Sequence, residues 1–404
     1  MIPLSEAQRL VWAAMRRLNV VAMDHREAVG LVLAEDVVAS EDVPPFDNSA
    51  VDGYAVRAED VTSAPTELRV IDTVAAGRSS SKSLGAGESM RIMTGAPIPA
   101  GATAVVMVED SEKLDEGRVR LTAAANLGAA IRETGSDVRR GDVVFRSGSV
   151  LNAASIGVLA SINAQHVKVY RRARVALLST GDELVTDGSA LAPGQIRESN
   201  LTMLDAVIRA TGCDVVNLGI VSDDEAELER VFTETSGDVD AFVTSGGVSM
   251  GDYDVVKAVL SKVAEMHWMQ MAIKPAKPFA FGMLRTTDGR GVPVFGLPGN
   301  PVSSMISYEL LARPALRMMM GNPNPQRTTV RAITDVALKR KRDGKEHFMR
   351  VVGHFSDDGR LHVRDSGPQG SHQLAATALA NGVARVPDGD GLPAGADVEV
   401  FFID

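Results

Sequence analysis

Three loops in the second half of the chain carry the residue types that bind anions and the cations that accompany them. They are Ser179-Thr180-Gly181-Asp182-Glu183, Thr244-Ser245-Gly246-Gly247-Val248-Ser249-Met250-Gly251-Asp252 and Leu297-Pro298-Gly299-Asn300-Pro301. Each follows an apolar run that reads as a strand. The second and third also open helices, where free backbone N–H groups and the positive dipole end favour an anion. Asn300 as N-cap and Pro301 as first helical residue satisfy the rules for a helix start. Any one of these loops is explained by a tight strand-to-helix turn; three together, with acids beside them, point to a site. None matches a P-loop or the G-x-G-x-x-G fingerprint, which disfavours an ordinary NTPase or dehydrogenase.

The acids in or near these loops are Asp182, Glu183, Asp223, Asp224, Asp252 and Asp254. Carboxylates beside a phosphate repel it unless a cation intervenes, and the hard, oxygen-seeking choice is Mg²⁺. For Asp223 and Asp224 the alternative is plain charge at a helix N-terminus. Lys274 and Lys277, in Ile273-Lys274-Pro275-Ala276-Lys277-Pro278-Phe279, lie on a segment that its prolines keep extended. That stiffness favours anion binding over a solvated loop. Further upstream, Pro44 to Ala55 holds Asp47, Asn48, Ser49 and Asp52 among small residues, as a ligand-facing loop or as a cluster of Asx turns. Thr94, in Arg91-Ile92-Met93-Thr94-Gly95-Ala96-Pro97, is either part of a strand-end turn or a hydroxyl donor in a site. The seven histidines are scattered without H-E-x-x-H spacing, and no G-x-S-x-G elbow occurs. Met318-Met319-Met320 reads as helix-end packing, and Cys213 as a buried small hydrophobe.

Positioning these loops requires a parallel sheet. Arg174–Ser179 is a strand apolar on both faces. Helix 200–210, strand 214–220, helix 223–235, strand 240–244, helix 253–263, strand 292–296 and helix 301–320 follow, giving βαβ units with right-handed crossovers. In such sheets ligands bind beyond the carboxyl ends of the strands, so the three loops converge on one crevice. Before this region come a helix over Ser5–Leu18, short strands near 68–74, 89–93, 104–108 and 118–121, and a capped helix over Asn152–Ile162. After the proline-rich 321–325 stretch, short strands with an Asp357-Asp358-Gly359 turn and a terminal strand Asp397–Phe402 predict a small β-barrel or sandwich. The expected organisation is multidomain α/β and β. It comprises an N-terminal helical and linker segment (1–45), a small β domain (46–140), a segment returning to the linker domain (141–172), a doubly wound parallel α/β domain (173–322) and a C-terminal β domain (323–404).

Composition narrows the partners. The 404 residues are 45% hydrophobic and 23% charged, enough apolar material for real cores, which excludes extensive disorder. A net charge of −10 with 4% aromatics argues against nucleic acid or an anionic membrane held by bulk electrostatics. No apolar run approaches the roughly 20 residues of a membrane span, and the N-terminus lacks the basic and apolar regions of a signal peptide. The single cysteine excludes an intramolecular disulfide and a cysteine-based zinc site, so a reducing cytoplasm is the expected compartment.

The motifs PPFDNSAVDGYAV, RIMTGAPIPAGATAVVM, STGDEL, SGGVSMGDYD, IKPAKPFAFG and LPGNPVSS, in this order over nearly the whole chain, resemble the MoeA family. These are the molybdopterin molybdenumtransferases, including the E domain of gephyrin. The resemblance implies an enzyme that takes adenylylated molybdopterin and molybdate with Mg²⁺, releases AMP and yields molybdenum cofactor. It implies a homodimer of four-domain chains with a shared site, the molybdopterin-binding-like α/β domain of one subunit facing the N-terminal β region of the other. Asp52 and Thr94 would then reach in from the partner, with Asp137 a further acidic position. Glu183, Asp223 and Asp254 would serve the metal, and Lys274 and Lys277 phosphate or molybdate. Ser245, Gly246, Gly247, Ser249, Gly299 and Asn300 would bind substrate, Pro298 and Pro301 would shape the last loop, and Ser371 would contribute from the C-terminal domain. Arg197-Glu198 stands where the family usually has Tyr-Asp, Ala276 where glycine is common, and Val255 where an aromatic is common; Arg197 would add a cation near the nucleotide end. Two alternatives accompany this reading: a gephyrin-like dimeric scaffold that binds partner peptides, and hydrolysis of the phosphoanhydride without metal insertion. The sequence does not choose molybdate over tungstate.

Overall fold

The computed structural model describes residues 1–115, 117–247 and 255–403. The chain forms two compact units, one of Met1–Val21, Gly30–Ala34 and Val169–Asp404, the other of Ala22–Val29 and Glu35–Lys168. No helix among the described residues is long and apolar enough to cross a membrane. The first unit opens with α1 (Leu4–Ala13), which buries Leu4, Ala7 and Val11 on one face. Ser5 is not its cap; Pro3 holds that position without a side-chain hydrogen bond. The helix stops before Leu18 because the chain turns to pair with another segment, the Leu18 amide donating to the Met319 carbonyl at 2.8 Å.

The second unit is built on a six-stranded sheet of β1 (Gly53–Val56), β2 (Thr66–Val74), β3 (Glu88–Ile92), β4 (Ala104–Met107), β5 (Ser111–Lys113) and β6 (Arg118–Leu121). The spatial order is β4-β1-β3-β2-β6-β5, and only β2 and β3 pair in parallel. Alternation of period two explains its two apolar faces. Tyr54, Val56, Val106 and Leu121 pack on one, Ala55, Met90, Ile92 and Val105 on the other. A helix over Ala153–Ser161, α2, starts at Asn152 with a reciprocal capping box to Ser155, as the sequence predicts.

The central sheet of the first unit comprises β7 (Arg174–Thr180), β8 (Asp214–Val221), β9 (Ala241–Ser245), β10 (Ala264–Gln270), β12 (Pro278–Arg285) and β13 (Gly291–Leu297), with the short β11 (Ile273–Lys274) between β10 and β12. Helices α3 (Asn200–Ala210), α4 (Glu225–Thr235) and α5 (Val255–Val263) connect its strands. Its order is β8-β7-β9-β13-β12-β10. The expected parallel arrangement holds for the first four strands, while β12 and β10 add an antiparallel hairpin at the edge. Sequence periodicity did not reveal β10 because only Met269 along it is buried, so it lacks the apolar run of the inner strands. Helix 301–320 also departs from expectation: α6 (Pro301–Ser307) and α7 (Arg313–Met319) are joined by a π-helical turn over Tyr308–Ala312, whose Leu310 carbonyl accepts from Gln8 Nε2 at 3.1 Å.

Beyond α7, β14 (Thr329–Thr334), β15 (Glu346–Phe355), β16 (Leu361–Asp365), β17 (Gly382–Val386) and β18 (Asp397–Phe402) close into a five-stranded barrel in the order β15-β16-β14-β18-β17, with β17 returning to β15. Met349, Val351, Val363, Ala384 and Val400 fill its interior. Phe348, one position out of phase, instead joins the apolar core shared with Met271, Ile273 and Phe279. The parallel pairing of β11 with β15 fixes this junction, Ile273 opposite Glu346 and Lys274 opposite His347.

Cys213 lies in the same core, and burial pushes its thiol pKa up to about 12. Thiolate is therefore scarce at neutral pH. A thiol-specific reagent at pH 8 should label Cys213 only after denaturant is added; prompt labelling of the native protein would contradict this burial.

Candidate functional site

The inner strands end on one level, Ser179 pairing with Ser245 and Ser245 with Leu297. The loops that follow are tied together by side chains. Ser179 Oγ donates to the Ser245 carbonyl at 3.2 Å, and the Gly246 amide donates to the Leu297 carbonyl at 3.1 Å. Gly246 and Gly247 have φ of +90° and +71°, and a Cβ at Gly247 would sit 2.3 Å from Val256 Cγ2. Glycine is thus required there by both backbone and space. Gly246 shapes the loop but does not offer its amide, which Leu297 already occupies. The Val302 amide is likewise spent on the Ser371 carbonyl at 3.1 Å, which ties a barrel loop to the start of α6. The amides of Gly299 and Asn300 make no hydrogen bond with another described residue and lie at the helix start where an anion is favoured. Pro298 precedes this start, and Pro301 takes the first helical position.

The two departures from the expected motif have local roles. The Glu198 carboxylate accepts from the Leu201 amide through both oxygens at 2.9 Å, which caps α3. Arg197 donates to the Ser189 carbonyl of its own loop, so its cation is engaged there. Among the acids, Asp224 is the N-cap of α4, its side chain accepting from the Glu227 amide at 2.8 Å. Glu183 and Asp223 are both exposed and follow the paired strand ends Thr180 and Val221. Ser249, Asp252 and Asp254 lie outside the described residues. Among those described, no three His, Cys, Asp or Glu side chains gather as a ready metal site. The chemistry of the donors nevertheless fits Mg²⁺, which is commonly held by one or two carboxylates with substrate phosphates completing its shell.

Lys274 and Lys277 lie on the connection between β10 and β12. Because β12 runs antiparallel to β13, with Ala280 opposite Gly296, this connection stands at the carboxyl end of the parallel strands. Neither ammonium group has a hydrogen-bond or carboxylate partner among the described residues, and both side chains are exposed. Ala276 between them adopts φ +76°, a left-handed conformation that glycine takes more readily. Asp223 and Lys277 are separated by four strand positions, which at about 4.8 Å each is roughly 19 Å across the strand ends.

Sequence reasoning missed Arg350. It lies on β15, is fully buried, and faces outward from the barrel like Phe348. Its Nη2 donates to the carbonyls of Pro368 at 2.7 Å and Gly370 at 3.3 Å, whereas Nε and Nη1 have no partner among the described residues. Burial lowers its pKa, since a buried charge without a counter-ion is disfavoured. Gln369 fixes the adjoining loop by pairing with both main-chain groups of Arg350, at 2.9 and 3.0 Å. The only sequence signal was an arginine in the otherwise apolar Phe348–Val352 run.

In the second unit, the structure joins Asp52 to Thr94. Asp52 Oδ1 accepts from the Thr94 amide at 2.7 Å and from its hydroxyl at 2.9 Å. These bonds, the amide's first, hold the Asp52 carboxyl below the ordinary range. Asp47 and Thr134 repeat the arrangement at 2.7 and 2.8 Å. Asp137 is exposed and its amide donates to the Val43 carbonyl at 3.0 Å; no hydrogen bond among the described residues links it to Asp52 or Thr94.

Three stretches of the chain match known families. Residues 2–163 match "MoeA N-terminal region (domain I and II)", 176–318 match "Probable molybdopterin binding domain", and 330–403 match "MoeA C-terminal region (domain IV)". The chain is 39% identical over 394 residues to molybdopterin molybdenumtransferase 2 of Mycobacterium tuberculosis, covering 95% of each. It is 38% identical over 357 residues to molybdopterin molybdenumtransferase of Haemophilus influenzae, covering 88% of this chain and 87% of that one. The crystal structure of the molybdopterin biosynthesis MoeA protein from Pyrococcus horikoshii OT3 superposes with a TM-score of 0.82 at 28% identity, covering all of both chains.

The Asp52–Thr94 geometry has a measurable consequence. With its folded pKa depressed, Asp52 contributes stability above its unfolded pKa of about 4 and loses it as pH falls through the folded value. Thr94→Val removes the hydroxyl bond but keeps the amide. A carboxyl NMR titration should show the Asp52 pKa rising part of the way to its ordinary value, and an unchanged pKa would contradict the assigned bond.

Proposed function

The chain belongs to the MoeA family, and on that premise we propose that it is a molybdopterin molybdenumtransferase, inserting molybdenum into adenylylated molybdopterin with release of AMP. The observation that carries the mechanism is the order of charge along the strand ends. Carboxylates of Glu183 and Asp223 stand after β7 and β8, the open helix start at Gly299 and Asn300 follows β13, and Lys274 and Lys277 precede β12. A long substrate with a phosphoanhydride at one end and a metal-accepting group at the other matches that order.

Glu183, Asp223 and Asp254 would hold Mg²⁺ at the phosphoanhydride end. Bound there with substrate oxygens, Mg²⁺ neutralises charge on the pyrophosphate linkage. The backbone around Gly247, Gly299 and Asn300 cradles the substrate, with Ser249 as a further candidate contact, while Ser245 holds the second loop in place and Pro298 and Pro301 set the course of the third. At the other end, Lys274, Lys277 and the unpaired donors of Arg350 hold molybdate, with Ser371 on the adjoining loop. Fixing the oxyanion beside the pterin dithiolene raises its effective concentration there. We also infer a homodimer in which Asp52, Thr94 and Asp137 of the partner subunit complete the site, and a cytoplasmic location. Tungstate, of like charge and size, would occupy the same donors.

One feature favours the scaffold reading, in which partner peptides dock on the dimer. A cleft of about 530 Å³ lies between the N-terminal helix and the barrel, lined in part by Pro3, Gln8, Leu310, Phe348 and Phe401. An anaerobic reaction with adenylylated molybdopterin, Mg²⁺ and molybdate separates the readings. We expect AMP and molybdenum-loaded cofactor together, each lost when molybdate or Mg²⁺ is omitted. AMP without loaded cofactor would overturn the insertion step in favour of hydrolysis, and neither product from folded protein would favour the scaffold. Molybdate at about 100 times its Kd should stabilise the wild type by about 2.7 kcal/mol. Arg350→Met should lose that gain; an unaltered gain in thermal melts would remove Arg350 from the oxyanion site.

A further inference from the structure

Asn200 is the first residue of α3 and is 8% exposed. Its Nδ2 donates to Ser245 Oγ at 2.7 Å and to the Gly299 carbonyl at 2.7 Å. A carbonyl can only accept, so the Gly299 contact fixes which end of the amide is nitrogen, and both of its hydrogens are spent. Ser245 closes β9, and Gly299 lies just beyond the end of β13 at Leu297. One side chain on α3 therefore bridges the loop after β9 to the loop after β13. Gly299 and Gly246 also approach closely, since a Cβ on Gly299 would lie 3.9 Å from Gly246 Cα. Meanwhile Asn200 Oδ1 is buried without a hydrogen-bond partner among the described residues. Leaving an acceptor unmet is costly, so the amide is a poor choice for helix packing alone. Its two donor bonds are where it contributes.

We propose that Asn200 is a positioning residue that sets the spacing between these two substrate loops and thereby the affinity for the phosphoanhydride-bearing substrate. The identity of that substrate rests on the function proposed above; the spacing does not. Asn200 touches the loops rather than the reacting atoms, so its effect should fall on binding more than on the chemical step.

Asn200→Asp preserves size while replacing the donor nitrogen with an acceptor that faces the Gly299 carbonyl. In steady-state assays we expect KM for adenylylated molybdopterin to rise about 10- to 100-fold, with kcat changed by no more than about threefold. Ser245→Ala should have a smaller effect, because the Gly299 bond remains, and the double substitution should cost less than the sum of the two, because the Asn200–Ser245 bond is common to both. A fall in kcat at constant KM, or additive effects of the two substitutions, would overturn the proposal. Amide hydrogen exchange provides a readout independent of activity: Gly246 and Val302, bonded to Leu297 and Ser371 in the wild type, should exchange faster in Asn200→Asp while barrel amides stay unchanged. If the wild type yields neither AMP nor loaded cofactor, the functional reading fails and exchange alone decides the spacing role. Unchanged exchange at both amides would then overturn it.

Discussion

The parallel registration of β7, β9 and β13 is the constraint on which the crevice depends. Backbone hydrogen bonds along these strands bring Ser179, Ser245 and Leu297 to a common level. A one-residue slip of any one strand would move its loop along the strand axis and reverse its side-chain alternation. With the level fixed, short bonds suffice to organise the loops: Ser179 to the Ser245 carbonyl, Gly246 to Leu297, and Asn200 to both Ser245 and Gly299. The antiparallel return of β12 depends on the same level, since its pairing with β13 brings Lys274 and Lys277 to the carboxyl end.

The barrel adds a strongly disfavoured feature to the region. Removing a guanidinium from water costs several kcal/mol unless its charge and donors find partners. Among the described residues, Arg350 satisfies only Nη2, through Pro368 and Gly370. The fold holds it there by two devices, the β11–β15 pairing that joins barrel to sheet and the Gln369 clamp on its main chain. An oxyanion of molybdate's charge would meet the remaining donors. Two exposed lysines on the connection that pairs with the barrel, and a buried arginine with two donors unmet among the described residues, are what support the anion site proposed above.

Much of this frame was legible in the sequence, because glycine-rich loops, N-cap residues and apolar runs report local structure. Asn152, Asn300 and Pro301 stand at the helix starts their types predict. What local pattern could not reveal depends on contacts between distant segments. The β10–β12 hairpin was hidden by the edge position of β10, and Leu18 left its helix to pair with Met319. The burial of Arg350 on the outer face of the barrel comes from the loop at Pro368–Gly370, which is distant in sequence. Asn200 sits 45 residues from Ser245 and 99 from Gly299, so no spacing rule announces their contact. Asp224 was read beside Asp223 as a candidate acid, and only its bond to the Glu227 amide separates cap from candidate.

Whether the cationic end of the crevice is the oxyanion site, as proposed, is open to direct test. Anomalous diffraction at the molybdenum edge, from crystals soaked in molybdate, locates the metal directly. A peak is expected within hydrogen-bonding reach, through the oxyanion oxygens, of Arg350 and at least one of Lys274 and Lys277. A peak beside Glu183 and Asp223 instead, with none near Arg350, would contradict it.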